Sequence, residues 1–300
     1  MSRAAVRDLL ARHGLAAHRG LGQNFLCDEE VAARLAVSAG VGQADAVLEI
    51  GTGLGILTRA LAARAARVVT VEVDAGLVRA LRAEALLPPE VELLHADALA
   101  LDLPHLVREL GRGAAAVRVV ASLPYSVATP LLRRFLDLRP LLAGWSVLVQ
   151  RELARRITAR PGSADYGSLA VLHAVAAEVR AGLDLPPRCF YPVPRVVSTF
   201  LHLAPRPGDA PSEEELLAVE RLVRAAFAHR RKTLVNSLRQ ALPEAPETPV
   251  LAAWLAREGV SPRARAETVT PGTWRRLAAA AAGWRDARQG EDAAGATGGR

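Results

Sequence analysis

The sequence predicts an α/β fold with a parallel sheet, and three observations support this prediction. Apolar, β-branched runs alternate with alanine-rich and leucine-rich helical segments through the first half of the chain. The first buried run, at residues 46–50, passes directly into a glycine-rich turn and then into a helix. Successive runs end in an acidic or polar residue, which would place those side chains along one rim of the sheet.

Length and composition limit the functions that are possible. The chain has 300 residues, of which 51% are hydrophobic, which is enough for one large and one smaller domain. No uncharged apolar run of about 18 residues is present, and charged residues interrupt any signal-peptide core, so we expect a cytoplasmic protein without a membrane partner. Cys27 and Cys189 lack the spacing of a zinc site or disulfide framework, and no metal is expected.

The net charge of +7 indicates an anionic partner, because a basic surface attracts polyphosphate at long range. A general preference for arginine is the alternative explanation, since Lys232 is the only lysine. The placement of the arginines, rather than their number, therefore has to decide whether nucleic acid is the partner.

The N-terminal region predicts two short helices joined by a loop. Residues 6–13 carry Val6, Leu9 and Leu10 on one helical face. The loop at 18–26 contains two glycines, and its composition alone favours a surface loop anchored by apolar residues. Asp28 then caps a helix that continues to about residue 39.

The glycine-rich turn is the strongest local signal for a ligand site. Gly51, Gly53 and Gly55 have the spacing GxGxG rather than the GxGxxG of a dinucleotide site. This spacing favours a nucleoside ligand without a pyrophosphate, because close backbone and a helix N-terminus would face the ligand. A tight turn between strand and helix would also explain the glycines.

Two acidic residues lie near the ends of the next two predicted strands, at positions that suit a nucleoside. Glu72 ends the second strand, at 67–74, about 20 residues past the glycines, where a carboxylate accepts both ribose hydroxyls. Asp97 lies in the third, at 91–98, where a carboxylate can accept from an adenine amino group. Taken singly, each acid would be a helix cap or a solvated charge; as an ordered set they indicate a nucleoside clamp.

A fourth strand ends in Ser122-Leu123-Pro124-Tyr125, which alone would be an ordinary strand exit. Together with Glu-Ile-Gly-Thr-Gly-Leu-Gly at 49–55, Ala-Asp-Ala at 96–98 and Leu-Gly-Gln-Asn-Phe-Leu at 21–26, it resembles the S-adenosylmethionine-dependent ribosomal RNA adenine dimethyltransferases of the KsgA type. The resemblance covers most of the chain. It implies a Rossmann-like class I methyltransferase domain, a small all-helical C-terminal domain, and N6,N6-dimethylation of two adjacent adenosines near the 3′ end of small-subunit (16S) rRNA, with a role in small-subunit biogenesis.

The resemblance also implies which residues form the site. Around S-adenosylmethionine it places Asn24, Leu26, Gly51, Gly53, Glu72, Asp97 and Ser122. At the target base it places the catalytic segment Ser122, Leu123, Pro124 and Tyr125, with Tyr125 stacking on an extruded adenine. Ser122 stands where the family motif has Asn, so a hydroxyl that donates or accepts replaces an oxygen that only accepts.

Proline-rich residues 204–211 mark a domain boundary, and Ser212 with Glu215 forms a capping box for the next helix. We therefore predict a methyltransferase domain at 1–204, a helical rRNA-binding domain at 212–284 and a disordered tail at 285–300. The family resemblance makes Arg230, Arg231 and Lys232 the expected phosphate contacts, although a charge run is more often a solvated face. Phe190 is expected either to stack on the target base or to pack on the sheet.

Three functions remain open at this stage. The favoured one is an rRNA adenine dimethyltransferase that acts as a monomer on small-subunit rRNA within a pre-30S particle. The second is a large-subunit rRNA methyltransferase of the macrolide-resistance type. The third is a weakly active or non-enzymatic ribosome-assembly factor, because Ser122 departs from the family motif. The GxGxG spacing disfavours a dehydrogenase.

Overall fold

The computed structural model describes residues 1–18, 22–124, 126–206, 208–281 and 284. Tyr125 and the predicted tail at 285–300 lie outside the described residues. The strands are β1 (Phe25–Leu26), β2 (Asp45–Ile50), β3 (Arg67–Glu72), β4 (Glu92–His95), β5 (Ala116–Ser122), β6 (Gly144–Gln150), β7 (Ala177–Leu185), β8 (Phe190–Tyr191) and β9 (Ser198–Pro205). The helices are α1 (Arg3–Arg12), α2 (Glu29–Ser38), α3 (Ile56–Ala62), α4 (Ala75–Ala83), α5 (Leu103–Leu110), α6 (Ala128–Leu138), α7 (Arg151–Ile157), α8 (Ser168–Ala176), α9 (Glu213–Phe227), α10 (Leu234–Ala241), α11 (Thr248–Arg257) and α12 (Pro271–Ala280).

A seven-stranded sheet in the order β4-β3-β2-β5-β6-β9-β7 organises the fold. The strands from β2 to β6 pair in parallel, which confirms the predicted α/β arrangement. The chain proceeds from β2 outward to β3 and β4, and then returns to place β5 on the other side of β2. This reversal opens a crevice at the carboxyl ends of β2 and β5, which is where open α/β sheets bind ligands.

The continuous apolar runs of the sequence become strands that are buried on both faces. Every residue of β2 is buried. On one face, α2 and α3 pack against the sheet through Leu35, Leu57 and Leu61, which contact the same core as Val47 and Val120. This packing fixes α3 directly behind the glycine-rich turn.

The sequence pattern did not predict β7, β8 or β9 as strands. β9 runs antiparallel between β6 and β7, and β7 is largely exposed, so its sequence lacks the alternation of a half-buried strand. β8 pairs antiparallel with β1, opposing Phe190 to Leu26. The N-terminal loop is thereby fixed to the segment at 190–191.

Contacts divide the chain into two units. The first contains Met1–Ala154 and Ala177–Pro205, and the second contains Arg155–Ala176 and the described residues from Arg206 onward. The proline-rich boundary predicted that all of 1–204 belongs to the first domain, whereas 155–176 packs within the second unit. The physical reason is Tyr166, which is fully buried and donates its hydroxyl to the carbonyl oxygen of Val269 at 2.8 Å.

The second unit is built from helices, and α9 begins at the predicted capping box. The Ser212 hydroxyl accepts from the Glu215 N–H at 3.1 Å, and the Glu215 carboxylate accepts from the Ser212 N–H at 2.7 Å. The Phe227 ring lies 6.0 Å from that of Tyr166 and 6.1 Å from that of Trp274. These three aromatic residues pack together within the second unit.

None of the described helices combines the length and the apolar character needed to cross a membrane. In the same part of the chain, His, Cys, Asp and Glu side chains form no group of three or more able to hold a metal ion.

We expect the substitution Tyr166→Phe to lower the free energy of unfolding by about 1–3 kcal/mol, because the buried Val269 carbonyl loses its donor. Urea denaturation followed by tryptophan fluorescence measures this effect, since Trp274 and Trp254 belong to the second unit. Tyr191→Phe, at a half-buried tyrosine of the first unit, is the matched control and should change stability little. Equal stability of Tyr166→Phe and the parent would contradict the assigned role.

Candidate functional site

A cavity lies at the carboxyl ends of β2, β3, β4 and β5, within the first unit. Its lining comes from the N-terminal loop, the glycine-rich turn, the end of β3, the turn after β4 and the end of β5, with Phe190 and Ser198. The predicted cofactor residues Asn24, Leu26, Gly51, Gly53, Glu72, Asp97 and Ser122 all line it. Sequence positions nearly 100 residues apart are therefore brought to one site.

Two glycines allow the backbone after β2 to approach the end of β5. Gly51 has φ of +87° and Gly53 has φ of +56°, both in the left-handed region that favours glycine. A Cβ atom at Gly51 would lie 3.2 Å from the carbonyl oxygen of Ser122. The Gly51 N–H donates to the carbonyl oxygen of Val71 at 2.9 Å, which ties the same turn to β3.

Glu72 is almost fully buried at the end of β3, and its carboxylate faces backbone donors. It accepts from the Gly53 N–H at 2.9 Å and from the N–H groups of Val73 and Asp74 at 3.0 Å each. Burial raises the pKa of Glu72, and these backbone donors partly offset the increase. Oε1 receives the Val73 and Asp74 N–H groups, whereas Oε2 receives only the Gly53 N–H and retains a lone pair for a ribose hydroxyl.

Asp97 lies in the turn after β4, exposed at the cavity. One carboxylate oxygen accepts from the Leu99 N–H at 2.8 Å, and the other has no hydrogen-bond partner among the described residues. The Arg134 guanidinium, on α6, holds this turn by donating to the carbonyl oxygens of Ala98 and Leu101, each at 2.6 Å. The sequence analysis did not identify Arg134, because its partners are backbone atoms.

The N-terminal loop reaches the cavity, and a side-chain hydrogen bond attaches it there. The Gln23 amide donates to the Asp74 carboxylate at 2.9 Å, and the Asn24 amide donates to the Gly22 carbonyl oxygen at 3.2 Å. This arrangement differs from a surface loop anchored only by apolar residues. Residues 19–21 of the loop lie outside the described residues.

The end of β5 presents a hydroxyl and a carbonyl oxygen beside the cavity. The Leu123 N–H donates to the Leu148 carbonyl oxygen at 3.1 Å, which fixes the strand end against β6. Within the described part of the chain, no hydrogen bond engages the Ser122 hydroxyl, and the Val127 N–H donates to the Pro124 carbonyl oxygen at 3.2 Å. Ser122, Leu123 and Pro124 line the cavity together.

Phe190 lines the cavity but is almost fully buried, and it packs in the core with Leu26, Leu148 and Phe200. This environment favours packing on the sheet over stacking on a base, which needs a free ring face.

The three expected phosphate contacts lie in the second unit and differ in their surroundings. The Arg230 guanidinium donates to the carbonyl oxygens of Ala164 and Tyr166 at 2.9 and 2.8 Å, and the Lys232 ammonium donates to Gln240 at 2.7 Å. Arg231 is exposed, and no hydrogen bond or ion pair engages it within the described residues. Arg231 is therefore the most available cation of the three.

A buried polar cluster beneath the glycine-rich turn was missed by the sequence analysis. Glu49 of β2 is fully buried, and its Oε2 accepts from the hydroxyls of Thr58 at 2.6 Å and Thr70 at 2.7 Å. The hydroxyl of Thr52, a residue of the cavity lining, lies 2.7 Å from that of Thr70. An acid inside an otherwise apolar strand was the available signal.

The residues of the cavity fit S-adenosylmethionine. A buried carboxylate at Glu72 suits a ribose diol, and the free oxygen of Asp97 suits an amino group. The apolar side chains Ile50, Leu54, Leu77 and Leu99 provide surfaces for an adenine ring. A Cβ atom at Gly51 would crowd the Ser122 carbonyl oxygen, and one at Gly53 would crowd the Phe25 ring, so glycine at both positions keeps the turn close to its neighbours.

Comparison with known proteins agrees with this site. The family model described as ribosomal RNA adenine dimethylase matches residues 14–282. "Ribosomal RNA small subunit methyltransferase A" of Magnetococcus marinus is 38% identical over 273 residues, covering 91% of this chain and 95% of the relative. The solved 23S rRNA methyltransferase ErmE is 28% identical, with a TM-score of 0.62, covering 85% of this chain and 98% of that one. A Plasmodium falciparum dimethyladenosine transferase, 21% identical with a TM-score of 0.70 over 84% of this chain and 95% of its own, shares the fold.

We expect Gly51→Ala to weaken S-adenosylmethionine binding at least tenfold, because the new methyl group would lie against the Ser122 carbonyl oxygen and displace the turn. Gly113→Ala is the matched control, since Gly113 has φ of +80° with no atom within 4 Å of the added carbon. Both variants should lose about 1–2 kcal/mol of stability from backbone strain. Calorimetric titration of the cofactor should detect a loss of affinity in Gly51→Ala alone; equal affinity of the two variants would contradict this account.

Proposed function

The chain belongs to the ribosomal RNA adenine dimethylase family, and we propose that it transfers methyl groups from S-adenosylmethionine to N6 of two adjacent adenosines near the 3′ end of small-subunit rRNA. The observation that carries the proposal is the contact between the two halves of the site. Gly51 of the glycine-rich turn lies against the carbonyl oxygen of Ser122 at the end of β5. The residues expected to bind the methyl donor and those expected to hold the target base therefore line one cavity.

The protein's task in this reaction is to make an adenine amino group reactive. The N6 lone pair is delocalised into the ring, so the nitrogen is a poor nucleophile. In the proposed mechanism the Ser122 hydroxyl oxygen and the Leu123 carbonyl oxygen accept the two N6 hydrogens and draw the nitrogen toward sp³ geometry. When bound, S-adenosylmethionine supplies the electrophilic methyl group.

Dimethylation uses the same two acceptors in sequence. The first transfer would form an N–CH₃ bond as the methyl–sulfur bond of the sulfonium breaks and leaves a neutral thioether, and the nitrogen would release one proton to solvent and retain one hydrogen. The remaining hydrogen still has an acceptor at the end of β5, so the nitrogen can be held for the second transfer. Tyr125 is proposed to stack on the extruded base, in the role that the family resemblance gives it.

Contact with rRNA is proposed for the second unit, with Arg231 as its main cation. Arg231 has no competing protein partner among the described residues, whereas Arg230 and Lys232 do. We also propose a pre-30S particle as the substrate, a monomeric enzyme and a cytoplasmic location.

Two alternatives remain distinguishable by experiment. The chain is 28% identical to the large-subunit rRNA methyltransferase ErmE and 38% identical to a small-subunit rRNA methyltransferase. The higher identity supports the small-subunit substrate over the large-subunit one. The assembly-factor alternative rests on Ser122 alone. Unmethylated small subunits, large subunits and free rRNA, incubated separately with labelled cofactor and mapped by primer extension, test all three. Label confined to large-subunit rRNA would overturn the proposal, and binding without label would favour the assembly factor.

We expect Ser122→Asn to retain or raise the rate of methylation, because the amide oxygen also accepts from N6. Ser122→Ala should lower kcat about 10²-fold by removing an acceptor, and Tyr125→Ala should nearly abolish methylation. Single-turnover kinetics on small subunits measures these effects, with calorimetric titration of the cofactor to confirm that each variant still binds it. A loss of activity in Ser122→Asn would contradict the acceptor role and show that the hydroxyl has another role.

A further inference from the structure

Glu49 occupies an unusual position for a carboxyl group, at the centre of the sheet. It lies on β2 opposite Thr70 of β3 and Val120 of β5, and it has no solvent exposure. α3 covers it, contributing Thr58. It is not part of the cavity lining, so it does not contact the cofactor itself.

The two carboxyl oxygens of Glu49 have unequal surroundings. Oε2 accepts two hydroxyl hydrogens, from Thr58 and Thr70, whereas Oε1 has no hydrogen-bond partner among the described residues. The charged side chain that acts on Glu49 from the neighbouring β3 is Glu72, an anion, and no cation pairs with it in the described structure. Burial raises the pKa of Glu49 to about 8.

This environment suits a neutral acid better than a carboxylate. An ionised Glu49 would leave a full charge buried with one oxygen unsolvated and a second carboxylate nearby. A protonated Glu49 leaves only one O–H without an acceptor, and its carbonyl oxygen Oε2 receives both hydroxyls.

With the Glu49 proton on Oε1, the hydrogen bonds of this cluster run in one direction, from Thr52 through Thr70 to Glu49 Oε2. Thr70 has a single hydroxyl hydrogen and donates it to Glu49. The hydrogen between Thr52 and Thr70 therefore belongs to Thr52, whose oxygen donates to Thr70 and keeps only lone pairs for other partners. Thr52 belongs to the cavity lining, and an oxygen with free lone pairs at this position would suit the ammonium group of the cofactor's methionyl portion.

We propose that Glu49 is a positioning residue, held as a neutral acid beneath the glycine-rich turn, and that through Thr70 it orients the Thr52 hydroxyl as an acceptor for the cofactor. The part that concerns the cofactor rests on the proposed function. The protonation state of Glu49 does not, and it is tested without any ligand.

Glu49→Gln tests the neutral state, because glutamine keeps the shape and a carbonyl acceptor but does not titrate. In the unfolded chain Glu49 ionises near its ordinary value of 4.5, whereas in the fold it stays protonated to about 8. The stability that its raised pKa contributes is fully present below pH 4.5 and is lost as the pH rises toward 8. The unfolding equilibrium constant of the parent, divided by that of Glu49→Gln, should therefore increase up to tenfold per pH unit across this window. A ratio that does not change with pH, with Glu49→Gln less stable throughout, would show an ionised Glu49 and overturn the proposal.

A pair of isosteric variants tests the link to Thr52. Thr58→Val and Thr70→Val each remove one donor to Glu49 Oε2, but only Thr70 also receives the Thr52 hydrogen. We expect Thr70→Val to weaken S-adenosylmethionine binding about tenfold and Thr58→Val to change it less than about twofold, in calorimetric titrations of the full chain. Equal losses in the two variants would overturn the positioning role. If the parent binds no cofactor, the proposed function fails, and the pH experiment still decides the state of Glu49.

Discussion

The site depends on one close approach between two parallel strands. β2 and β5 are neighbours, and the turn after β2 passes so near the Ser122 carbonyl oxygen that a Cβ atom at Gly51 would lie 3.2 Å from it. A glycine at this position lets the glycine-rich turn and the segment Ser122-Leu123-Pro124 line one cavity. Methyl transfer requires donor and acceptor to be held a few ångströms apart, so a steric constraint at one backbone position serves the chemistry of the whole site.

Preorganisation of the cavity comes mainly from backbone atoms rather than from side-chain pairs. Three N–H groups converge on Glu72, and Arg134 holds the turn that carries Asp97 through two carbonyl oxygens. Gln23 attaches the N-terminal loop to Asp74, whose own backbone N–H donates to Glu72. Because these contacts share members, the Glu72 side of the cavity and the N-terminal loop belong to one hydrogen-bond network.

The sequence was sufficient to predict the parts of the site that follow local rules. The glycine spacing, Glu72 and Asp97 were recognisable because parallel strands place successive carboxyl ends on one rim. The cluster around Glu49 was not, since its partners Thr58 and Thr70 are 9 and 21 residues away and reach it only when α3 packs on the sheet and β3 pairs with β2. Nor did the charge pattern distinguish Arg230 from Arg231, because Arg230 donates to carbonyl oxygens of a distant segment. Packing of 155–176 with the second unit likewise depends on Tyr166 reaching Val269, 103 positions later.

Each unit is built from two separate segments of the chain, and this affects the order in which they can fold during synthesis. The chain leaves the first unit after Ala154 and returns at Ala177, so β7 and β9 complete the sheet only after α8 has been made. The apolar residues that α8 buries find their partners on α9 and α12, which emerge from the ribosome much later. Once residue 205 has emerged, every strand of the sheet is available while α8 still awaits those helices, so its apolar residues are exposed to aggregation in this interval.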